Sequence, residues 1–132
     1  MSSKMEIVGW ILRIIVALIL LQTLFFKFTG AEESVYIFTT VGMEPWGRIA
    51  VGILELIAAG LLVIPVTAWI GAGIALGLML GAMGMHLTIL GIEIQGDGGY
   101  LFILSLVVSA CACYVLYCDR KMIRSLYLRL RQ

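Results

Sequence analysis

The sequence predicts an all-α polytopic membrane protein, a four-helix transmembrane bundle with a short interfacial helix between spans one and two. Three observations predict it. The chain has 132 residues, of which 62% are hydrophobic and only 13% charged, too few polar groups to cover a soluble domain of this size. Its apolar residues fall in four unbroken runs rather than in a 3.6-residue stripe. Trp10, Trp46, Trp69, Tyr100, Tyr114 and Tyr117 stand near the ends of those runs, where amphipathic rings prefer the membrane interface.

The first run, 7–26, has the length of about 20 residues that a bilayer crossing requires. Thr29 and Ala31 resemble a signal-peptide cleavage site, but Arg13 inside the apolar stretch argues for a retained span. In the connection 31–43, Val35, Phe38 and Val41 recur every third residue, which suits a short helix lying flat at the surface. Glu32 and Glu33 would stand at its positive N-terminal end. The second run, 46–64, lies between Pro45 and Pro65. The link 65–67 is so short that spans two and three must be antiparallel neighbours. In the third run, 68–90, Gly73, Gly77 and Gly81 form a small-residue ridge suited to tight packing against another helix. Asp97-Gly98-Gly99 signals a turn in the connection 91–99. The fourth run, 100–117, carries no charge. Residues 1–118 thus form the bundle.

Residues 119–132 form a basic tail, with Met122, Ile123, Leu126 and Leu130 three or four apart as in an amphipathic helix. It holds Arg120, Lys121, Arg124, Arg129 and Arg131 against Asp119 alone, and it suits an anionic lipid surface. By the positive-inside rule the tail is cytoplasmic, and an even number of spans puts the N-terminus there too. Short loops and this tail suit a bacterial inner membrane. Nothing in the chain points to nucleic acid.

Arg13, Glu55 and His86 lie within spans, and Lys27 and Arg48 at span edges. A charge at a helix centre costs about 2.5–3.5 kcal/mol on insertion scales, so each calls for a partner or water. Arg13, Leu20 and Lys27 are seven apart and share a face with Thr23. Arg48 and Glu55 are also seven apart, and Gly52, Ala58 and Ala59 around Glu55 let another helix approach. Glu55 is therefore expected to point inward. Lys27, Arg48, Glu55 and His86 could cluster in the outer half of the bilayer, either as a register-fixing ion-pair set or as a ligand pocket. Arg13 lies toward the cytoplasmic side, where its guanidinium can snorkel to the head groups.

Several motifs together resemble the DoxX-like family of small membrane proteins. They are Phe26-Lys27-Phe28-Thr29-Gly30, Glu33-Ser34-Val35, Gly42-Met43-Glu44-Pro45, Gly52-Ile53-Leu54-Glu55-Leu56, His86-Leu87-Thr88 and Gly96-Asp97-Gly98-Gly99-Tyr100-Leu101-Phe102. The ordered set covers nearly the whole chain. The resemblance implies a compact four-helix bundle with Arg13, Lys27, Glu55 and His86 at typical polar positions. It does not imply one activity: the wider family includes a subunit of an archaeal thiosulfate:quinone oxidoreductase, redox-associated bacterial proteins, and animal relatives that assist receptor assembly or cargo export.

The chain carries no recognisable catalytic set. One histidine does not give bis-histidine haem ligation, and Cys111, Cys113 and Cys118 give neither C-x-x-C spacing nor a four-cysteine cluster. No metal site and no intrinsic cofactor are expected; a quinone is the candidate ligand. The reading that follows is a non-catalytic, membrane-embedded binding or assembly partner, for a redox complex or a quinone-like lipophile. Its partner helices, or a second copy, would pack on the Gly73, Gly77, Gly81 ridge. The alternatives are a small transporter working as a dimer and a subunit of a quinone-linked oxidoreductase. Against the first, the carboxylate lies in span two, unlike that of the small multidrug exporters, and the basic tail fixes one orientation.

Overall fold

A computed structural model describes residues 3–132, and every regular element among them is helical. Helix α1 covers Ser3–Phe28, α2 Glu32–Thr40, α3 Trp46–Leu62, α4 Ala68–Met85, α5 Tyr100–Cys118 and α6 Arg120–Arg131. A π-helical turn, His86–Leu90, continues α4. Three helices are long and apolar enough to cross a membrane: α1, α4 together with its π turn, and α5.

Helix α3, with 17 residues, stops short of the expected 46–64. A residue that precedes proline is driven away from helical geometry, so Pro65 ends the helix before Ile64. Helix α1 instead begins earlier than expected and gains a first turn that carries Lys4 and Glu6. Helix α5 matches its expected bounds to within one residue.

Helix α1 packs against α3 and α5, and α4 packs against the same two, giving the ring order α1–α3–α4–α5. Neighbours run in opposite directions, an up-down-up-down bundle. Small side chains make much of the core: Ala17, Ala58, Ala59, Ala68, Ala72 and Ala75 are buried together with Val16, Leu20 and Leu62. Large ones face out; Leu18, Phe25 and Leu87 are each more than half exposed. This distribution suits lipid, where association rests on close packing of small residues rather than on hiding large ones from water.

Helices α3 and α4 approach backbone to backbone. A Cβ placed on Gly71 would lie 2.7 Å from the Ala58 carbonyl oxygen and 2.9 Å from the Leu62 nitrogen, so only glycine fits. The Gly73, Gly77, Gly81 ridge makes no such contact within this chain: the three glycines are exposed, and a Cβ on any of them would meet nothing within 4 Å. Small residues lie on several faces of α4, and the buried face carries Ala68, Gly71, Ala72 and Ala75.

Helix α2 sits across one end of the bundle, touching α1, α3 and the π turn. Its buried residues are Ser34 and Phe38, a face rotated slightly from the expected Val35–Phe38–Val41 line. The loop between α4 and α5 folds on Asp97. One of its carboxylate oxygens accepts backbone N–H bonds from Ile94 (3.0 Å) and Gly99 (2.8 Å), and the other from Leu101 (3.4 Å). Gly99, with φ +87°, supplies the left-handed turn that starts α5. Helix α6 buries no residue and packs chiefly on α5.

Candidate functional site

The roofed end of the bundle contains a partly open cavity of about 650 Å³, lined by α1, α2, α3, α5, the second half of α4 and the π turn. Its walls are largely apolar, formed by residues such as Leu20, Phe38, Leu104 and Val108. Lys27, Thr23, Glu55, His86 and Ser105 are the polar groups of its deeper wall, and Glu33 and Gln95 stand nearer the roof.

Lys27 lies in the last turn of α1, where the helix dipole favours a cation. Its Nζ pairs with Glu55 Oε1 at 2.9 Å, the two side chains being 15% and 1% exposed. The Thr23 hydroxyl, one turn below Lys27, donates to the other Glu55 oxygen at 2.5 Å. Both carboxylate oxygens therefore have partners, as a buried charge requires. Glu55 reaches this position because Gly52 leaves room for Phe28: a Cβ there would lie 2.6 Å from the Phe28 ring.

His86 opens the π turn and is 5% exposed. Its Nδ1 lies 2.8 Å from the Gly91 carbonyl oxygen, which can only accept, so Nδ1 carries the proton. In the neutral ring Nε2 is then an acceptor, and among the described residues it has no protein partner. Phe102 packs edge-on against the ring at 5.5 Å. Such π insertions recur at functional sites because the extra residue re-aims a side chain. Ser105, 2% exposed, donates to the Phe102 carbonyl at 2.6 Å.

Of the four ionisable residues expected to cluster, Lys27, Glu55 and His86 line this cavity and Arg48 does not. Arg48 turns away. Its Nε and Nη2 bond the Glu44 carboxylate at 3.0 and 2.9 Å, and its Nη1 donates to the Lys27 carbonyl. An acid one helical turn earlier captures it locally, and it serves to close the C-terminal end of α1. Arg13 lies at the opposite end of the bundle. It is buried rather than snorkelled, donating from Nε to the Leu62 carbonyl at 2.6 Å, with its guanidinium carbon 3.8 Å from the Trp10 ring centre.

Thr23, Ser34, Gln95 and Ser105 add uncharged polar groups to the lining, and Glu32 and Glu33 add two acids from α2. Thr23 was readable from its place on the Lys27 face; Ser105 stands out only as a hydroxyl inside a charge-free span. Glu33 stands beside Asp97. Burial, followed by the Asp97 charge, pushes its carboxyl above the ordinary range. For Asp97, burial acts upward, and the backbone hydrogen bonds outweigh it and leave the carboxyl below its ordinary range. Among the described residues no three His, Cys, Asp or Glu side chains converge on a metal position.

No family model matches this chain, and no curated protein or solved structure matches it either.

Proposed function

We propose that this chain is a four-span inner-membrane protein of the DoxX-like kind, a non-catalytic binding partner that holds a quinone-like lipophile beneath α2, in the service of a redox complex. The observation that carries this reading is the apolar cavity with the Lys27–Glu55 pair and His86 in its wall. Its volume of about 650 Å³ falls within the range of about 300–1,000 Å³ that suits small lipophilic ligands. The polar chemistry also suits a quinone. Lys27 has three N–H donors and uses one on Glu55, which leaves donors for a quinone carbonyl. His86 Nε2 offers an acceptor for the hydroxyl of a reduced quinol.

Four crossings follow if α3 spans as well. Its 17 residues meet the lower bound of about 17 for a transmembrane helix, and it stands in the same ring as the other three. The termini then share the cytoplasmic side with the basic α6, and the cavity opens toward the outer half of the bilayer. The Gly73, Gly77, Gly81 ridge is exposed and suits a partner helix or a second copy, which would then border the cavity that Gly77 and Gly81 line.

The test is equilibrium dialysis of the detergent-solubilised protein against a short-tailed ubiquinone analogue. Saturable binding at one site per chain is expected, weakened about tenfold or more by Leu104→Trp, which narrows the cavity while leaving its ionisable residues in place. Non-saturable uptake, equal in both proteins, contradicts the reading.

A further inference from the structure

The end of the bundle away from the cavity holds a smaller pocket of about 210 Å³ in the groove between α1 and α5. Glu6, Gly9, Trp10 and Arg13 face it from α1, Cys118 and Asp119 from the end of α5, and Pro65 closes one side. Arg13 is 8% exposed, yet its Nη2 is buried and has no hydrogen-bond partner among the described residues. Asp119 stands across the pocket but beyond ion-pair distance, so it does not satisfy that nitrogen. Leu62 and Trp10 hold the guanidinium in place from the other sides. A fixed, buried guanidinium with an N–H unpaired among the described residues calls for a further acceptor, and phosphate oxygen is one that the group's planar fork fits.

The pocket is not purely basic. Glu6 and Asp119 would repel a simple anion, but they suit a ligand that carries a cation beside its phosphate. The pocket also lies where α1, α5 and the α3–α4 link meet the polar boundary of the bundle, with the exposed Trp10 ring at its edge. We infer that this groove binds the head group of one amine-bearing phospholipid, with the phosphodiester on Arg13 and the primary ammonium between Glu6 and Asp119. The site is separate from the lipophile cavity and stands whether or not that cavity binds a quinone.

The experiment reconstitutes the full chain in nanodiscs of equal parts phosphatidylethanolamine, phosphatidylglycerol and phosphatidylcholine, then counts retained lipids by native mass spectrometry. One phosphatidylethanolamine per chain is expected, favoured about tenfold over either competitor. Arg13→Gln should lose the lipid. Asp119→Asn, which leaves the buried guanidinium intact, should keep a lipid but lose the preference for phosphatidylethanolamine over phosphatidylglycerol. Equal retention of the three lipids, a preference for phosphatidylglycerol in the unaltered chain, or unchanged selectivity in Asp119→Asn overturns the inference. Displacement of the lipid by millimolar inorganic phosphate overturns it too, because the groove would then be a site for free phosphate.

Discussion

Lys27 and Glu55 are the two residues on which the site depends, and their buried pairing is open to a structural and a functional explanation that mutation separates. Removing one partner of a buried pair leaves the other charge uncompensated, at a cost of about 3–5 kcal/mol, whereas replacing both with apolar residues is often neutral. Glu55→Leu alone should therefore lower the thermal midpoint in detergent markedly, and Lys27→Met with Glu55→Leu should restore it. If the pair serves the ligand, the restored protein still fails to bind the lipophile. The inward aim of Glu55 was legible in the sequence, since Gly52, Ala58 and Ala59 mark the approach of a neighbouring helix. The place of Arg48 was not read, although Glu44 four residues earlier supplied the signal. Helical phase gives the direction of a side chain but does not decide whether a local or a distant acid captures it. For Arg13, phase placed the residue on the right face, but only the packed bundle shows the Leu62 carbonyl and Trp10 ring that keep it from the head groups.

Among the elements, α4 carries small residues with two different surroundings. Gly71 meets the α3 backbone, whereas Gly73, Gly77 and Gly81, expected to serve a partner helix or a second copy, meet nothing within 4 Å in this chain. Gly71→Ala should therefore destabilise the α3–α4 pair measurably in a detergent unfolding assay, because backbone atoms cannot move aside. Gly73→Ala, which meets open space and does not line the cavity, should leave stability unchanged, and any loss of association it causes would mark the ridge as a partner surface. The roof is expected to respond to pH. Asp97, held below the ordinary value of 3.8, contributes stability above that pH and loses it as the pH falls through its lowered value. Glu33, raised above 4.5, contributes most below that pH and loses its contribution as the pH rises through its raised value. Hydrogen-exchange protection of α2 should therefore be greatest in mildly acidic solution and decline toward neutrality. Glu33→Gln should abolish that decline; an unchanged profile would mean that Glu33 does not hold the roof.

For the whole molecule, composition made the solvent legible: large apolar side chains outside and alanines within suit lipid. The number of crossings depends on α3, which Pro65 shortens to 17 residues. Four crossings put both termini on one side of the membrane; if α3 does not cross, they lie on opposite sides. Reporter fusions at the N-terminus and after residue 132 should both be cytoplasmic, and a split result would contradict the four-span bundle. The central claim, that the cavity beneath α2 holds a lipophile, is tested most directly by native mass spectrometry of protein extracted gently with its own lipids. A stoichiometric quinone-like molecule is expected in the unaltered chain, absent from the folded Lys27→Met, Glu55→Leu double variant. A folded chain that carries no such molecule, or a double variant that retains it equally well, would contradict the account.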